Sequence, residues 1–384
     1  MRNKTIVVSG VNIRKGGTLT IMRDCLKYLS QQLSSDNRVV ALVHDRNLYP
    51  FEGIEFIECA DSVRSWLRRL RTEYVDMYSI SRQLGHIDLW LSLHDTTPRV
   101  NADVQAVYCQ TSFPFLKWHL RDGFFDRKIP LFAVFTRFAY RINVHRNRFL
   151  VVQQRWFRDR LAQMLGVSQD RFIVFPPQKY FPPIPSKRTK GLVRFCYVST
   201  PDCHKNFETL CKAAQMLEGK IGCGKFKVTL TVSGAENKYS KWLLKKWNHV
   251  DSIEFRGFQD LKHLIELYAE SDCLVFPSRV ETWGLPISEF MTTGKPMMLA
   301  DLPYAHETSK GAGQVAFFPA EDSGYLASLM NDFINKKYSK FMENRRGPLH
   351  DVAVGEWADL FRMLMEDGRA DRAPLRLDKC SDKI

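Results

Sequence analysis

The chain has 384 residues, of which 45% are hydrophobic and 26% charged. That length exceeds one comfortable core and suits two α/β domains, and the composition excludes a disordered or fibrous chain. The net charge is +14, with +11 on residues 1–180 and +3 on the remainder.

A basic excess of this kind is either a solvated surface or a field that draws an anionic partner: phospholipid, a lipid diphosphate or nucleic acid. The nine cysteines show no CxxC pair. Cys25, Cys109, Cys196 and Cys273 lie in apolar runs and read as small buried hydrophobes of a reducing compartment, not as a disulfide frame or a zinc site. Met1 to Thr5 lead into an apolar run too short for a signal peptide, and no stretch reaches the ~18 apolar residues of a spanning helix. Any membrane contact is therefore expected to be peripheral.

In chain order, Ile6-Val7-Val8 reads as a strand, followed by a helical stretch from about Thr18 to Gln32. Further strands are expected over Val39–Val43, Leu89–Leu93, Val104–Cys109, Phe149–Val152 and Phe172–Phe175. Pro176-Pro177 stops the last of these. The Pro-rich, then basic run Phe181–Lys190 has no periodicity and reads as a linker, with a hinge near residue 185. A second series follows: Val193–Val198, Lys227–Val232, Ile253–Phe255, Cys273–Phe276, Met297–Ala300 and Val315–Phe318. Short apolar strands alternating with helical patterns predict two doubly wound parallel sheets facing across a cleft. The expected division is residues 1–185, residues 186–350, and a C-terminal helix with a polar tail over 351–384. Ligands of such sheets bind beyond the carboxyl ends of the strands.

The most informative segment runs from Cys273 to Pro296. A buried strand ends at Pro277 and a loop carries Glu281 and Gly284. Pro286 suits the first turn of a helix, and Gly294 with Pro296 closes it. Free N–H groups near Gly284, Leu285 and Ile287 are expected at the helix start, where they and the helix dipole favour a phosphate. Glu281 before the helix and Glu289 one turn inside it could accept hydrogen bonds from the vicinal hydroxyls of a hexose and a ribose. Alternatively, both are surface acids of an ordinary strand–helix unit.

The run Glu281-Thr-Trp-Gly-Leu-Pro-Ile-Ser-Glu289-Phe-Met-Thr-Thr-Gly-Lys-Pro resembles the E-x7-E signature of retaining nucleotide-sugar glycosyltransferases with the GT-B fold, of the large family four. The resemblance implies that Glu281 contacts the donor sugar and Glu289 the nucleotide ribose. The run Tyr197-Val-Ser-Thr-Pro-Asp-Cys-His204-Lys205-Asn206 is similar to the family's phosphate-binding loop, with Lys205 neutralising the donor diphosphate. Many relatives carry an Arg shortly before that Lys; here Ser199 and Thr200 occupy the region. Arg279 either compensates for it or is a solvated loop charge. Gly16-Gly17 after the first strand resembles a glycine pair common in the family, although such a pair by itself is often only a turn. It forms neither a G-x-G-x-x-G fingerprint nor a P-loop.

Many family members place a His after a mid-domain strand of the first half, facing the reacting sugar. Gln110 stands at that place here, and His94 is the other candidate. A Gln hydrogen-bonds a hydroxyl but cannot act as a base. The stretch Phe113–Arg148 interleaves aromatic residues with arginines, and Trp66–Arg71 is a shorter version. Such helices are either interfacial, meeting an anionic membrane surface, or buried with a basic outer face. No nucleic-acid reader motif occurs, so no nucleic-acid partner is expected.

The resemblance implies transfer, with retention, from a nucleotide-diphosphate sugar to a glycan or polyprenyl-diphosphate-linked acceptor in O-antigen or capsule assembly. That places the protein in the cytoplasm, at the inner face of the membrane. The absence of Asp-x-Asp fits a reaction with neither metal nor other cofactor. The rival readings are an epimerase or phosphorylase of the same architecture, and a non-catalytic subunit that binds a sugar nucleotide or lipid-linked glycan.

Overall fold

The computed structural model describes residues 3–14, 16–177, 181–184, 191–345 and 355–366. The chain divides into two compact units. One takes the described residues up to Thr111, those from Val134 to 177 and the C-terminal helix. The other takes Ser112–Ala133 and the described residues from 181 to 345. The 22-residue arm Ser112–Ala133 therefore belongs, by packing, with a stretch of chain that lies well beyond it in sequence.

The elements up to the linker are β1 (Thr5–Ser9), α1 (Gly16–Tyr28), β2 (Arg38–Val43), β3 (Glu55–Glu58), α2 (Trp66–Arg71), α3 (Met77–Gln83), β4 (Leu89–Ser92), β5 (Val104–Cys109), α4 (Leu120–Phe125), α5 (Lys128–Arg141), β6 (Phe149–Val152), α6 (Arg155–Leu165) and β7 (Phe172–Val174). The remainder are β8 (Val193–Tyr197), α7 (Phe207–Ile221), β9 (Phe226–Leu230), α8 (Lys238–Trp247), β10 (Ile253–Phe255), α9 (Leu261–Glu270), β11 (Cys273–Phe276), α10 (Leu285–Met291), β12 (Met297–Ala300), α11 (Pro303–Thr308), β13 (Val315–Phe318), α12 (Ser323–Ile334) and α13 (Trp357–Glu366).

The first unit holds a seven-stranded sheet in the order β3-β2-β1-β4-β5-β6-β7, and the second a six-stranded sheet in the order β10-β9-β8-β11-β12-β13. The strand pairings are parallel throughout. Two parallel-sheet α/β units are thus present, as the alternating pattern predicts. In the first sheet, successive residues feed opposite faces. Ile6, Val8, Val39 and Ala41 join one apolar cluster, and Val7, Val40 and Leu42 the other. This period of two, with both faces covered, is why these strands read as continuous apolar runs.

Three details depart from the expected elements. The first helix ends at Tyr28 and continues as a π-helical turn over Leu29–Leu33. The edge strand β3 is absent from the expected set; Glu55 and Glu58 are exposed and Phe56 and Ile57 only part-buried, so no apolar run longer than that pair marks it. Helix α13 buries Trp357, Leu360, Phe361 and Leu364 in the first unit's larger cluster, with Phe361 stacked on Tyr28 and Trp357 edge-on to Phe175. Of the expected linker, residues 181–184 are described, and Phe181 packs on Tyr268; the hinge near residue 185 lies outside the described residues.

Candidate functional site

The strand order of the second sheet reverses between β8 and β11, which are neighbours although β9 and β10 separate them in sequence. At such a switch point the loops beyond the strands' carboxyl ends part and leave a crevice. The loop after β8 carries Lys205, and the loop after β11 carries Arg279, Glu281 and Gly284. The sheet thereby brings together residues far apart in the chain. Lys205 Nζ donates to Glu281 Oε1 at 2.6 Å, with both side chains largely buried.

The two loops are fastened to each other. Tyr197 OH donates to the carbonyl of Lys205 at 2.7 Å, and the Arg279 N–H donates to the carbonyl of His204 at 2.8 Å. Asn206 holds a left-handed φ of 57° at the cap of α7. Its Nδ2 donates to the carbonyls of Pro277 and Ala320, and its Oδ1 accepts from Thr209. Asn206, expected to bind the donor, is buried here with both ends of its amide engaged within the protein.

Arg279 is a buried cation, not a solvated loop charge. Its Nη2 donates to Asp122 Oδ2 and to the carbonyl of Cys203, each at 2.8 Å. Burial by itself would lower its pKa; Asp122 first, then Glu208 and Glu321, outweigh that and hold it above its ordinary value. Its Nε has no hydrogen-bond partner among the described residues. Asp122 comes from the arm, on α4, where its Oδ2 also accepts from the N–H of His119 and closes the helix start. Beside it, Arg121 pairs with Glu208, and Glu208 also accepts from Tyr239 OH. His204, half-buried beside Lys205 and Arg279, has its pKa driven well down by desolvation and then by those two cations.

Gly284 adopts φ +86°, and a Cβ there would stand 3.2 Å from Ile287 Cδ1. The left-handed φ is what favours glycine here, and the tight contact adds to the cost of any side chain. Leu285 and Pro286 open α10 as expected. Ile287 departs from the expectation of a free donor, because its N–H already donates to the carbonyl of Gly284 at 2.9 Å. Glu289 lies buried on α10 and accepts from Tyr268 OH at 3.0 Å. Burial, followed by the Glu289 charge, raises the Tyr268 pKa well above its ordinary value.

The first unit holds the remaining candidates. Gly16 and Gly17 are exposed at the start of α1, beyond the carboxyl end of β1. Gly16 has a left-handed φ of 73° with open space around it. Gln110 is buried after β5; its Nε2 donates to the carbonyl of Leu93, while its Oε1 has no partner among the described residues. His94 is a core residue. Its Nδ1 lies 2.8 Å from Thr96 Oγ1 and its Nε2 lies 3.0 Å from Ser9 Oγ, so both ring nitrogens are engaged. Burial lowers its pKa. Of the two candidates Gln110 alone keeps an unengaged polar atom. Among the described residues, one group has the spacing to hold a cation: His86, Asp88 and Asp103. Asp88 and Asp103 immediately precede β4 and β5, at the amino ends of the strands, opposite the carboxyl ends of the same sheet that carry Gly16-Gly17 and Gln110.

Asp122, Tyr268 and the arm escaped the sequence reading, for lack of any motif around them. The one available signal was the unusual Phe- and Arg-rich composition after Phe113.

Residues 184–347 match the family described as Glycosyl transferases group 1. An O-antigen chain mannosyltransferase B of Escherichia coli is 29% identical over 127 residues, covering 31% of this chain and 32% of that protein. The O-antigen chain mannosyltransferase RfbU of Salmonella typhimurium is 20% identical over 254 residues, 65% of this chain and 66% of that protein. These alignments thus span between a third and two thirds of the relatives' length. Among solved structures, WaaG, a glycosyltransferase involved in lipopolysaccharide biosynthesis, superposes with a TM-score of 0.63 at 14% identity, covering 86% of this chain and 90% of that one. Anabaena HepE in complex with UDP-glucose superposes with a TM-score of 0.60 at 13% identity, over 88% and 92% of the two chains. The fold of the chain is that of the GT-B glycosyltransferases.

Proposed function

We propose that this chain, whose residues 184–347 form a group 1 glycosyltransferase domain, moves a sugar from a nucleoside-diphosphate sugar to a hydroxyl of a glycan or polyprenyl-diphosphate-linked acceptor, in the assembly of a bacterial surface polysaccharide. The observation that carries the reading is the Lys205–Glu281 pair at the β8/β11 switch point, with the buried cation Arg279 on the same loop. A diphosphate leaving group needs fixed positive charge where negative charge develops, and buried cations supply it at little reorganisation cost. Lys205 takes that role, with Arg279 standing in for the arginine absent at Ser199 and Thr200. Arrival of the diphosphate draws the Lys205 ammonium toward phosphate and leaves Glu281 to accept from the donor's hydroxyls. Glu289, held by Tyr268, accepts from the ribose.

On this reading the anomeric configuration is retained, the leaving diphosphate helps to deprotonate the acceptor, and no metal is required. Gln110 faces the reacting sugar, and the Gly16-Gly17 turn lets the backbone approach the donor phosphate or the acceptor closely. The compartment is the cytoplasm, where nucleotide sugars are the donors. Mannosyl transfer in the names of both sequence relatives makes GDP-mannose the first donor to try, and the UDP-glucose held by HepE the second.

The test is calorimetric titration of the full chain with GDP-mannose, UDP-glucose and other nucleotide sugars, with and without EDTA, followed by donor-turnover assays on a lipid-linked glycan extract. One donor should bind with EDTA present. Lys205→Met should lower turnover by about 100- to 1,000-fold, the loss seen when one charge-stabilising donor is removed. A folded protein that binds no nucleotide sugar would sink the reading. Turnover retained in Glu281→Ala would remove Glu281 from it.

A further inference from the structure

Between α2 and α3 the chain makes a π-helical turn, Thr72–Asp76, which puts Glu73 wholly inside the first unit. A buried carboxylate is costly unless hydrogen bonds and a counter-charge meet it, and here both do. Glu73 Oε1 accepts from Arg69 Nε at 2.7 Å, and Oε2 accepts from Thr96 Oγ1 at 2.8 Å. The Thr96 hydroxyl has one proton, directed at Glu73, so it accepts from His94 Nδ1 at 2.8 Å. His94 Nε2 then carries no proton and accepts from Ser9 Oγ at 3.0 Å. The lowered pKa of His94, with burial the first cause, agrees with a neutral ring. Every donor in this series points toward Glu73, and the cation that Glu73 holds is Arg69.

Arg69 stands where a ligand can reach it. Ser9 ends β1 and His94 follows β4, the neighbouring strands at which the order of the first sheet reverses. Loops part at such a point and leave a crevice. Asn12, on the loop after β1, turns its amide oxygen to accept from Arg69 Nη1 and Nη2 at 3.1 Å each. The Arg69 side chain is 19% exposed, against 1% for Glu73. Other arginines around α2 form surface pairs instead: Arg64 and Arg68 with Asp61, and Arg71 with Asp76. Among the described residues, the outer edge of the Arg69 guanidinium meets the neutral Asn12 amide and, at 3.5 Å, the carbonyl of His94. Two phosphate oxygens would replace that amide with charged acceptors in the geometry a guanidinium fork matches. Beside the fork lies apolar surface: the guanidinium sits 5.3 Å from the Trp66 ring, and Trp66 and Leu70 are exposed. We propose that Arg69 holds the diphosphate of an acceptor with an apolar isoprenoid tail, with Glu73 as its positioning residue and Trp66 beside the tail. The role of that ligand as acceptor rests on the sugar-transfer reading.

The test is calorimetric titration of the full chain with farnesyl diphosphate, inorganic diphosphate and farnesol. Farnesyl diphosphate should bind most tightly of the three. Arg69→Gln should weaken it about 10- to 100-fold, the range for losing hydrogen bonds between charged groups. That variant leaves the Glu73 carboxylate buried without its cation, so Arg69→Gln/Glu73→Gln, which leaves neither charge behind, should fold and show the same loss. Arg68→Gln, on the same helix, should bind as the wild type does. Trp66→Ser should weaken farnesyl diphosphate and leave inorganic diphosphate unchanged. In turnover, the double variant should raise the acceptor KM at least about tenfold while the donor KM stays put, a split that loss of packing alone does not produce. Undiminished farnesyl diphosphate binding by the double variant would overturn the proposal. So would a loss confined to Lys205→Met, which places the diphosphate at the donor loops, or equal Arg69-dependent affinity for inorganic and farnesyl diphosphate, which makes the ligand a free anion. Binding through Arg69 by a chain that transfers no sugar would remove the transfer reading and keep this site. Transfer with an unchanged acceptor KM in the double variant would do the reverse.

Discussion

The ion pair between Asp122 and Arg279 makes a sharp prediction, because it joins the arm to the candidate site and both side chains are almost wholly enclosed. Asp122→Asn keeps the shape and leaves an oxygen to accept from the N–H of His119, but it removes the charge that faces the guanidinium. Stripping one partner from a buried pair costs about 3–5 kcal/mol, because the other charge stays buried without compensation. Arg279 retains the carbonyl of Cys203 at 2.8 Å, and Glu321 at 4.0 Å. These place the cost at the lower end, about 3 kcal/mol. For a unit of this size that corresponds to about 6–12 °C in Tm. Differential scanning calorimetry of wild type, Asp122→Asn, Arg279→Met and the double variant reads it directly. The double variant leaves no orphaned charge, so its loss should fall short of the sum of the singles by about 2 kcal/mol or more. On the proposed reading a bound nucleoside diphosphate sugar also brings negative charge to Arg279. Saturating donor should then raise the Tm of Asp122→Asn more than that of wild type. Additive single variants, or an Asp122→Asn protein melting within about 2 °C of wild type, would refute the reasoning.

Other expectations concern stability. His94 is buried and His204 half-buried, and each has its pKa lowered from 6.5. Above the unfolded pKa both states are neutral and the pair has no effect. Below it the unfolded chain binds protons that the folded chain refuses, so stability falls with falling pH. Each residue adds about 1.4 kcal/mol per pH unit below about 6.5; urea unfolding between pH about 5.5 and 7.5 should show the slope, and His94→Asn should reduce it. An unchanged slope in that variant would show that His94 is protonated in the folded state. Asn206→Ala should cost about 1–3 kcal/mol for each buried carbonyl it orphans, measured by urea unfolding without any donor. A loss of donor affinity at unchanged stability would instead show that Asn206 binds the donor. Leu360→Ala, in the C-terminal helix, should destabilise the first unit by about 2–5 kcal/mol, and a change below about 1 kcal/mol would show that α13 is not part of that core.

The strands of both sheets were legible because a parallel sheet covered on both faces writes its strands as uninterrupted apolar runs. The edge strand β3 was not, since its apolar run is only Phe56-Ile57, part-buried between the exposed Glu55 and Glu58. Positions beyond strand ends were equally legible. Glu281, Gly284 and Lys205 fall on the switch-point loops because element order alone puts them there. Partners are another matter. Nothing local to Arg279 announces that Asp122, 157 residues away, will meet it. Asn206 sits beside Lys205 in a run that resembles a phosphate-binding loop, yet its αL backbone turns the amide inward to tie two loops. Ile287 looked like a free donor because helix starts leave N–H groups unpaired; the tight turn at Gly284 uses that one. Sequence periodicity encodes which face a residue takes, whereas hydrogen-bond partners depend on where the chain returns.

The charges at the candidate site show why that distinction bears on function. Each cation there has its own carboxylate, and the two carboxylates come from different places: Glu281 for Lys205 from the adjoining loop, and Asp122 for Arg279 from the arm. An unpaired buried cation would be costly, so a site for an anionic ligand must either stay wet or carry internal counter-charges. This one carries them. On the proposed reading, the diphosphate competes with Glu281 for Lys205, and the displaced carboxylate is the group left to accept from the sugar. Binding the leaving group and freeing the sugar-binding acid are then one event. Removal of Glu281 alone should consequently tighten nucleoside diphosphate while abolishing transfer. Glu281→Gln titrated with GDP and UDP in parallel with turnover measurements separates the two effects. Equal weakening of both would mean that Glu281 holds Lys205 in place and contributes nothing to the sugar.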